Sequence, residues 1–471
     1  MVEPRTNSRV ADLLIDLRRT GGVALHRQIE ASIRDGIRAG RLRVGMPLPP
    51  SRTLAGDLGV SRGVVVEAYQ QLVAEGYLTS RAGGYTEVAI GPESPAPAAP
   101  PAPARTTKID FGYGRSDVSH FPRAVWLRTI RKVLTDAPNE RFLYLSGRGV
   151  PELREALADY LNRVRGASVD PDNVVIVSGY AQGIALMISV LAASGARVLA
   201  VEDPSADDDA RPMAAAAGLD VVGVPVDDDG IRVDLLERTD ADAVVLTPSH
   251  QWPTGGVLSA DSRAAVRRWA ARRHALIIED DYDAEYRYDR APIGAIQGLS
   301  PDHVVYIGSA SKTLAPGLRL GWMVVPRHLA DAVAQAKITA DRGSPALDQL
   351  VFADFLSSGE FDRHLRRMRP VYRRRRDVLL AALQEKTPSL RPAGIAAGLH
   401  LAAWLPSDLD EAAVVDAAAA RGLAVHGVSP YRLTSTGPGG LIFGYSSLSE
   451  RSIVDGVTLL ADALAELRAQ P

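Results

Sequence analysis

The segment 91–107 constrains the fold of this chain more than any other, because it holds six prolines and five alanines in seventeen positions. Repeated proline favours an extended, semi-rigid tether that cannot contribute to a packed core. The chain therefore has to fold as at least two bodies, and its length of 471 residues agrees with that. We expect one domain over residues 1–90, a linker over 91–107 and a second domain over 108–471.

Charge is divided unevenly between these parts. Residues 1–90 hold 12 arginines against 9 acidic residues, whereas the remainder holds 42 basic against 47 acidic residues. The whole chain, at a net charge of −2, is not a polyanion binder by bulk charge, but the sign of its first part suits nucleic acid. The absence of cysteine excludes disulfides and cysteine metal sites. With no apolar run long enough for a signal peptide or a membrane span, we expect a cytoplasmic protein.

The first domain has the pattern of a helix-turn-helix followed by a wing. Apolar residues recur every four positions from Leu25 to Ile37, which predicts a helix over 25–39. Ser51 is a suitable N-cap for a short helix ending near Leu58, and Ser61 for a longer helix ending near residue 75. Residues 77–90 then predict a β-hairpin around a glycine pair.

A helix-turn-helix reads DNA with the first residues of its second helix, which enter the major groove. Here these are Ser61 and Arg62, and Arg62 can contact a guanine or a phosphate. Arg52 lies at the start of the preceding helix, where it can reach a phosphate. Arg81 and Gly83 lie at the tip of the wing, where a basic residue and a glycine could let the wing approach the minor groove or the DNA backbone closely. Each arginine taken alone could equally be a solvated surface charge.

The second domain alternates short, fully apolar segments with helical ones. Such a pattern predicts an α/β fold whose mostly parallel sheet is covered by helices on both faces. From about residue 345 a long basic helix and two further strands predict a smaller α+β lobe. The predicted sheet strands begin at Val174, Arg197, Val221, Ala243, Ala275 and Val304.

One cluster of residues in the second domain predicts chemistry. Lys312 lies among small hydroxyl residues, where an amine can form a Schiff base with an aldehyde cofactor. Ser309 and Arg319 flank it and can hold a phosphate. Asp280 ends an apolar run, so its carboxylate could face a pyridinium nitrogen. Together these residues indicate a site for pyridoxal 5'-phosphate.

Longer motifs carry a resemblance to known families. Segments 48–62 and 68–78 (LPPSRTLAGDLGVSR and AYQQLVAEGYL) resemble the GntR-type winged helix-turn-helix across about 65 residues. Residues 108–471 resemble the fold-type I aminotransferases, and the fusion as a whole resembles the MocR subfamily of bacterial transcription regulators. The motifs of the second resemblance stand at residues 121–128, 201–204, 247–255, 278–288 and 309–322.

The resemblance implies a role for each matching residue. Lys312 corresponds to the lysine that forms the aldimine with the cofactor, and Asp280 to the carboxylate that pairs with the pyridine nitrogen. Tyr282 corresponds to the tyrosine that bonds the phenolic oxygen, and Ser309 and Arg319 to phosphate ligands. The other reading of Tyr282 is a packed aromatic at the end of a strand.

Two further features belong to the same implied site. Gly179, Tyr180 and Ala181 follow an apolar strand and open a helix, whose backbone amides would hold the phosphate. Tyr144 corresponds to a tyrosine that reaches the phosphate of the partner subunit. The resemblance therefore implies that the site is complete only in a homodimer, either simple or domain-swapped.

The departures from the aminotransferase pattern bear on function. Trp252 stands where many aminotransferases carry the asparagine that bonds the phenolic oxygen, although MocR proteins often have an aromatic there. Residues 205–206 replace a Gly-Tyr pair, and Asp208 replaces a substrate arginine for which Arg211 could substitute. Ile442 stands near the place of the second substrate arginine. An amino-acid carboxylate without its arginine would lose about 2–3 kcal/mol.

Arginines also crowd one predicted helix, between Arg363 and Arg376. They are either a solvated or internally paired helix face, which we favour, or a second basic surface for DNA.

The leading hypothesis is a transcription regulator, without physiological transaminase activity, that senses pyridoxal phosphate through Lys312 and binds double-stranded promoter DNA at repeated half-sites. Its resemblance to the pyridoxine-biosynthesis regulators of the MocR group points to vitamin B6 genes. Three alternatives remain: an amino acid or amine as effector, an aminotransferase with an accessory DNA-binding domain, and a dimerisation scaffold without cofactor.

Overall fold

The computed structural model describes residues 13, 15–19, 22–80, 85–90, 107–206, 209–288, 293–433 and 436–469. The chain divides into two compact units, residues 1–104 and residues 105–471. None of the described helices combines the length and apolar character needed to cross a bilayer.

The described part of the first unit contains three helices and a pair of strands. Helix α1 (Leu25–Arg38) is followed by α2 (Ser51–Leu58) and α3 (Arg62–Ala74). Strand β1 (Leu78–Ser80) pairs antiparallel with β2 (Thr86–Val88). The predicted order of three helices and a wing is confirmed, and the wing tip with Arg81 and Gly83 lies outside the described residues.

The turn between α2 and α3 depends on Gly59, whose φ of 61° lies in the left-handed region that glycine adopts without strain. The prediction that Ser51 caps α2 is wrong. Pro50 already has the extended conformation of an N-cap, so Ser51 becomes the first residue of the helix. Ser61 does occupy the N-cap position of α3, but its side chain bonds no helix N–H.

The core of the first unit forms where α1 and α3 face each other. Ile29, Ile33 and Ile37 of α1 are fully or almost fully buried, as the periodicity predicts, whereas Leu25 at the start of the helix is partly buried. Since one small cluster supplies the entire apolar core of this unit, each member has a large share in its stability. The core includes Ile29, Ile33, Ile37, Leu54, Val65, Ala68, Leu72, Leu78 and Val88.

The second unit contains a short strand, β3 (Ile109–Asp110), and an eight-stranded sheet. The sheet strands in chain order are β4 (Val174–Val177), β5 (Val198–Asp203), β6 (Asp220–Asp227), β7 (Gly230–Ile231), β8 (Ala243–Leu246), β9 (Leu276–Asp281), β10 (Val304–Ser309) and β11 (Gly321–Val324). Their spatial order is β4-β11-β10-β9-β8-β5-β6-β7. The run from β10 to β6 is parallel, whereas β11 is antiparallel to both neighbours and β7 is antiparallel to β6. The mostly parallel sheet is thus confirmed, and β11 is a strand that the apolar pattern did not reveal.

Helices cover both faces of this sheet because successive strand residues point to opposite sides. On β9, Ile278 packs toward α6 and α10, while Ile277 packs toward α9. Helices α5 and α11 extend the second layer over β4. The helices in chain order are α4 (Arg123–Asp136), α5 (Pro151–Arg165), α6 (Tyr180–Ala193), α7 (Ala210–Ala216), α8 (Val233–Leu236), α9 (Ala260–Arg273), α10 (Ala330–Asp341) and α11 (Ala346–Ser357).

The C-terminal lobe is built on the long helix α12 (Glu360–Lys386) and a four-stranded sheet of order β12-β13-β16-β15. A separate strand, β14, pairs in parallel with β3 and so ties the first segment after the linker to this lobe. The remaining elements are β12 (Arg391–Ala393), β13 (His400–Trp404), α13 (Glu411–Ala420), β14 (Leu423–Ala424), β15 (His426–Gly427), β16 (Gly440–Gly444) and α14 (Glu450–Ala469).

The arginines of α12 are largely engaged within the second unit. Arg375 pairs with Asp117 at 2.7 Å, and Arg374 lies 3.5 Å from Glu450. Arg369 donates to a backbone carbonyl at 2.8 Å. Such pairing favours the reading of α12 as an internally paired face.

We predict that Ile33→Ala destabilises the first unit by about 2–4 kcal/mol, since Ile33 is fully buried and the lost methyl groups leave a cavity. Native-state hydrogen exchange of the full chain should show reduced protection in α1 to α3 and unchanged protection in α6 to α10. Val44→Ala is the control because the Val44 side chain is 62 % exposed and contributes little packing. Equal protection in Ile33→Ala and wild type would contradict the prediction.

Candidate cofactor site

A cavity of about 290 Å³ opens at the carboxyl ends of β5, β8, β9 and β10. Ligands of open α/β sheets commonly bind at this edge, because the loops that follow parallel strands converge there. The lining includes hydroxyl groups and an arginine of the kind that bind phosphate, and it also includes aromatic rings. The residues are Tyr113, Gly114, Tyr180, Ala181, Val201, Glu202, Ser205, Ala206, Asp209, Ala210, Val245, Thr247, Trp252, Asp280, Tyr282, Ser309, Ser311, Lys312, Pro316, Arg319, Leu399 and His400.

The structure brings most of the predicted cofactor residues together in this cavity. Seven of the nine line it, namely Lys312, Asp280, Tyr282, Ser309, Arg319, Tyr180 and Ala181. Gly179 precedes helix α6 directly, beside the lining residue Tyr180. Tyr144 does not line the cavity, and its side chain is 94 % exposed.

Lys312 follows β10 in a turn, and its amine projects into the cavity. The Nζ atom donates a hydrogen bond to the backbone carbonyl of Gly114 at 2.7 Å. Gly114 has a φ of 76°, and a Cβ at this position would lie 3.0 Å from Nζ. The backbone conformation therefore favours glycine there, and a side chain would push against the Lys312 amine; sequence reasoning did not identify this residue.

Asp280 is the penultimate residue of β9 and lines the cavity. Burial raises the pKa of its carboxyl well above the ordinary value, the negative charge of Asp281 adds to this effect, and the charge of Lys312 opposes it. The carboxylate form is thus penalised unless a cation lies near it. A protonated pyridine nitrogen is a cation of that kind.

The opposite end of the cavity can hold a phosphate. Ser309 Oγ lies 2.8 Å from Ser311 Oγ, and both hydroxyls stand beside the start of α6. Arg319 donates to the carbonyl of Ser178, and its guanidinium would lie 3.1 Å from a Cβ on Gly179. The guanidinium therefore lies beside the N-terminus of α6, and an arginine at a helix N-terminus is a suitable partner for an anion.

These groups fit pyridoxal phosphate. The amine of Lys312 suits its aldehyde, Asp280 suits its ring nitrogen, and the Ser309–Arg319 end suits its phosphate dianion. The donor set thus matches all three reactive or charged parts of the cofactor.

Tyr282 contacts His250, which forms a buried pair with Asp283 that sequence reasoning missed. Its hydroxyl donates to the backbone carbonyl of His250 at 2.9 Å. The Nδ1 atom of His250 lies 2.9 Å from a carboxylate oxygen of Asp283, and both side chains are almost fully buried. His250 lies within motif 247–255 and Asp283 within motif 278–288, so both motifs contained the signal without indicating the contact.

An ion pair lies directly behind the cavity wall. Arg165, at the end of α5, has a fully buried side chain that donates to Asp281 at 2.8 Å. The hydroxyl of Tyr306 donates to the same carboxylate oxygen at 2.7 Å. Arg165 also donates to Ser249 Oγ at 3.0 Å, so α5, β9, β10 and the loop after β8 meet at one point.

The departures from the aminotransferase pattern fill the aromatic end. Trp252 packs against Tyr113 with ring centroids 4.0 Å apart. Ile442 is fully buried in the same cluster. Arg211 donates to the carbonyl of Tyr431 at 3.2 Å and does not line the cavity, and Asp208 lies outside the described residues. Within the described lining, Arg319 is the one arginine.

The predicted DNA-contacting residues of the first unit are exposed. Arg52 is exposed near the N-terminus of α2, and Ser61 and Arg62 are exposed at the N-terminus of α3. Arg62 Nε lies 3.4 Å from Ser51 Oγ, a long contact that leaves the guanidinium available.

Comparison with known families agrees with both units. Residues 25–88 match the family described as bacterial regulatory proteins, gntR family. Residues 106–436 match the family described as aminotransferase class I and II. The second match covers well over half of the chain.

Individual relatives extend the similarity to nearly the full length. The chain is 32% identical to the probable rhizopine catabolism regulatory protein MocR of Rhizobium meliloti, over 97% of each chain. It is also 32% identical to the pyridoxine biosynthesis transcriptional regulator PdxR of Corynebacterium glutamicum, over 97% of this chain and 99% of that one. Among solved structures, LysN, an alpha-aminoadipate aminotransferase from Thermus thermophilus complexed with N-(5'-phosphopyridoxyl)-L-leucine, superposes with a TM-score of 0.70. That match has 26% identity and covers 77% of this chain and 93% of the other.

We predict that Arg165→Met destabilises the second unit by about 3–5 kcal/mol, because it leaves the Asp281 carboxylate buried without its partner. Urea unfolding followed by tryptophan fluorescence measures the change. Arg163→Met is the matched control, since Arg163 lies on the same helix and pairs with Asp362 at a side-chain exposure of 60%. That exposed pair contributes about 0–1 kcal/mol, so equal losses in the two variants would refute the assignment.

Proposed function

We propose that this chain, which belongs to the MocR-type family of GntR transcription regulators, senses pyridoxal phosphate through Lys312 and thereby changes its affinity for promoter DNA. It is a regulator with a GntR helix-turn-helix and an aminotransferase-like domain that takes pyridoxal phosphate. We assign DNA binding to residues 1–90, the tether to 91–107 and cofactor binding to 108–471.

One observation carries this proposal: a single cavity joins a lysine amine, a carboxylate and a phosphate-binding end. Lys312, Asp280 and Arg319 all line it. When bound, pyridoxal phosphate supplies an aldehyde that the Lys312 amine can hold covalently. Asp280 would orient the cofactor ring by its charge, and Tyr282 by its hydroxyl. Ser309 and the start of α6 would hold the phosphate.

The proposal gives the cofactor itself the role of signal. An amino-acid substrate needs a cation for its carboxylate, and Arg319, the one arginine of the described lining, stands at the phosphate end. Arg211 is committed to the carbonyl of Tyr431. We therefore propose that the protein has no physiological transaminase activity.

Vitamin B6 biosynthesis genes are the targets that we propose. The relative from Corynebacterium glutamicum is named for pyridoxine biosynthesis, and a regulator that measures pyridoxal phosphate would suit the supply of that cofactor. A second effector, an amine or amino acid, is the alternative, because the relative from Rhizobium meliloti is named for rhizopine catabolism at the same identity.

A homodimer is also part of the proposal. The surface beside α4 exposes several large apolar side chains, including Leu134 at 55 % and Leu143 at 68 %. These side chains come from one stretch of the chain, and a large exposed apolar patch is typical of a protein interface. Tyr144 continues it with a side chain that is 94 % exposed, which suits the expected reach of this tyrosine into a partner's site.

Pyridoxal phosphate can change DNA affinity only if it binds two states of the protein differently. The decisive experiment titrates the protein with pyridoxal phosphate and follows visible absorbance beside a gel shift on its own upstream DNA. We expect the absorbance band and DNA affinity to change over the same cofactor range. A band with unchanged DNA affinity would contradict sensing and favour a second effector.

We predict that Lys312→Ala abolishes the covalent chromophore, because the amine that meets the aldehyde is gone, and that DNA binding no longer responds to the cofactor. Absorbance and gel shifts measure both effects. Lys386→Ala, which removes an amine at the end of α12, should behave as wild type. A cofactor-dependent gel shift that persists in Lys312→Ala would overturn the proposed route of sensing.

We predict that Arg62→Ala weakens operator binding by about 1–3 kcal/mol if Arg62 reads a guanine. The loss should appear as relaxed specificity at one base pair in gel shifts against a set of single-substituted operators. Arg43→Ala, with an exposed side chain outside α2 and α3, is the control. A uniform loss across all operators would identify Arg62 as a phosphate contact.

A further inference from the structure

We propose that His250 and Asp283 are positioning residues that aim the Tyr282 hydroxyl and so set the proton affinity of the cofactor held at Lys312. The inference rests on the proposed function, since it concerns the same cavity. His250 and Asp283 are buried and do not line the cavity, so they would influence the cofactor only through Tyr282.

The hydrogen-bond geometry defines the direction of each donor. An ionised carboxylate can only accept, so the contact of 2.9 Å between His250 Nδ1 and Asp283 places the hydrogen on Nδ1. The Tyr282 oxygen lies 3.2 Å from the same Nδ1 atom. Because Nδ1 then has no lone pair to offer, the hydroxyl hydrogen of Tyr282 goes to the His250 carbonyl at 2.9 Å or to an acceptor in the cavity.

Loss of the Asp283 charge removes the preference for a hydrogen on Nδ1, because a neutral amide at this position can donate as well as accept. The imidazole could carry its hydrogen on Nε2, and Nδ1 would then accept from Tyr282. The hydroxyl would be drawn away from the cavity. Asp283 thus controls where Tyr282 donates, without touching the cavity itself.

Close packing holds the pair in place. A Cβ on Gly398 would lie 2.0 Å from His250 Cε1 and 2.7 Å from an Asp283 oxygen. The ring of His400 packs against His250 with centroids 4.6 Å apart. Burial lowers the pKa of His400 well below its ordinary value, so this neighbour stays neutral and does not compete for Asp283.

Several titratable groups face the Tyr282 hydroxyl. Burial and then the charges of Asp283, Asp280, Glu202 and Tyr445 raise its pKa well above the ordinary value, so Tyr282 remains a donor. Burial also raises the pKa of Glu202 to about 7, which puts a second ionisation into the neutral range. A test must therefore separate Tyr282 from its charged neighbours.

The experiment measures the pH midpoint of the visible absorbance of the full-length protein loaded with pyridoxal phosphate. Asp283→Asn should move the midpoint in the same direction as Tyr282→Phe, by about half to one pH unit. In a Tyr282→Phe background the same substitution should lose most of its effect, because the group that it positions is gone. The contribution of Glu202 is common to both backgrounds and cancels.

His250→Gln provides a second variant that changes no charge and keeps an amide donor for Asp283. It should shift the midpoint when Tyr282 is present and not in Tyr282→Phe. Glu279→Gln is the matched control, since Glu279 is a fully buried carboxylate on β9 that accepts from backbone N–H groups instead. Its midpoint should equal that of wild type.

Each remaining outcome counts against the inference. An unchanged midpoint in both Asp283→Asn and His250→Gln overturns it, as do equal shifts with and without Tyr282, which would mean action by charge alone. Absence of any chromophore in the wild-type protein would overturn the proposed function, whereas a normal wild-type chromophore with unmoved variants defeats the positioning role alone.

Discussion

The buried pair of Arg165 and Asp281 is the interaction on which the cofactor site depends. Asp281 lies between Asp280 and Tyr282, and successive residues of a strand point to opposite faces. Because Arg165 holds Asp281 toward the interior at 2.8 Å, its two neighbours have to face the cavity. A one-residue slip of β9 would direct both of them away from the ligand and place an unpaired carboxylate in the cavity.

Short-range patterns allowed much of this architecture to be predicted from the sequence. The six apolar segments became sheet strands because a parallel sheet buried on both faces has no polar alternation. The strand β11 was not predicted because it begins just after Arg319, within the motif 309–322, which was interpreted as a phosphate-binding loop and not as a strand. The error at Ser51 had a local cause, since the preceding Pro50 already had the conformation of a cap.

The site was predictable where a segment carried a recognisable motif, and it was not predictable where a contact joins two distant segments. Lys312 and Arg319 stand in one motif, so their chemistry could be recognised together. Gly114 contacts Lys312 across 198 positions, and no periodicity encodes such a contact. The same holds for His250 and Asp283, whose pairing requires two loops from different strands to meet.

The bond between Lys312 and Gly114 links two distant parts of the chain. Gly114 stands seven positions beyond the linker, in the segment that β3 begins. Condensation of this amine with an aldehyde would leave at most one N–H on the nitrogen, in place of the three of an ammonium group. Under the proposed function, cofactor binding would therefore change the hydrogen bond that anchors the segment following β3 to the cavity.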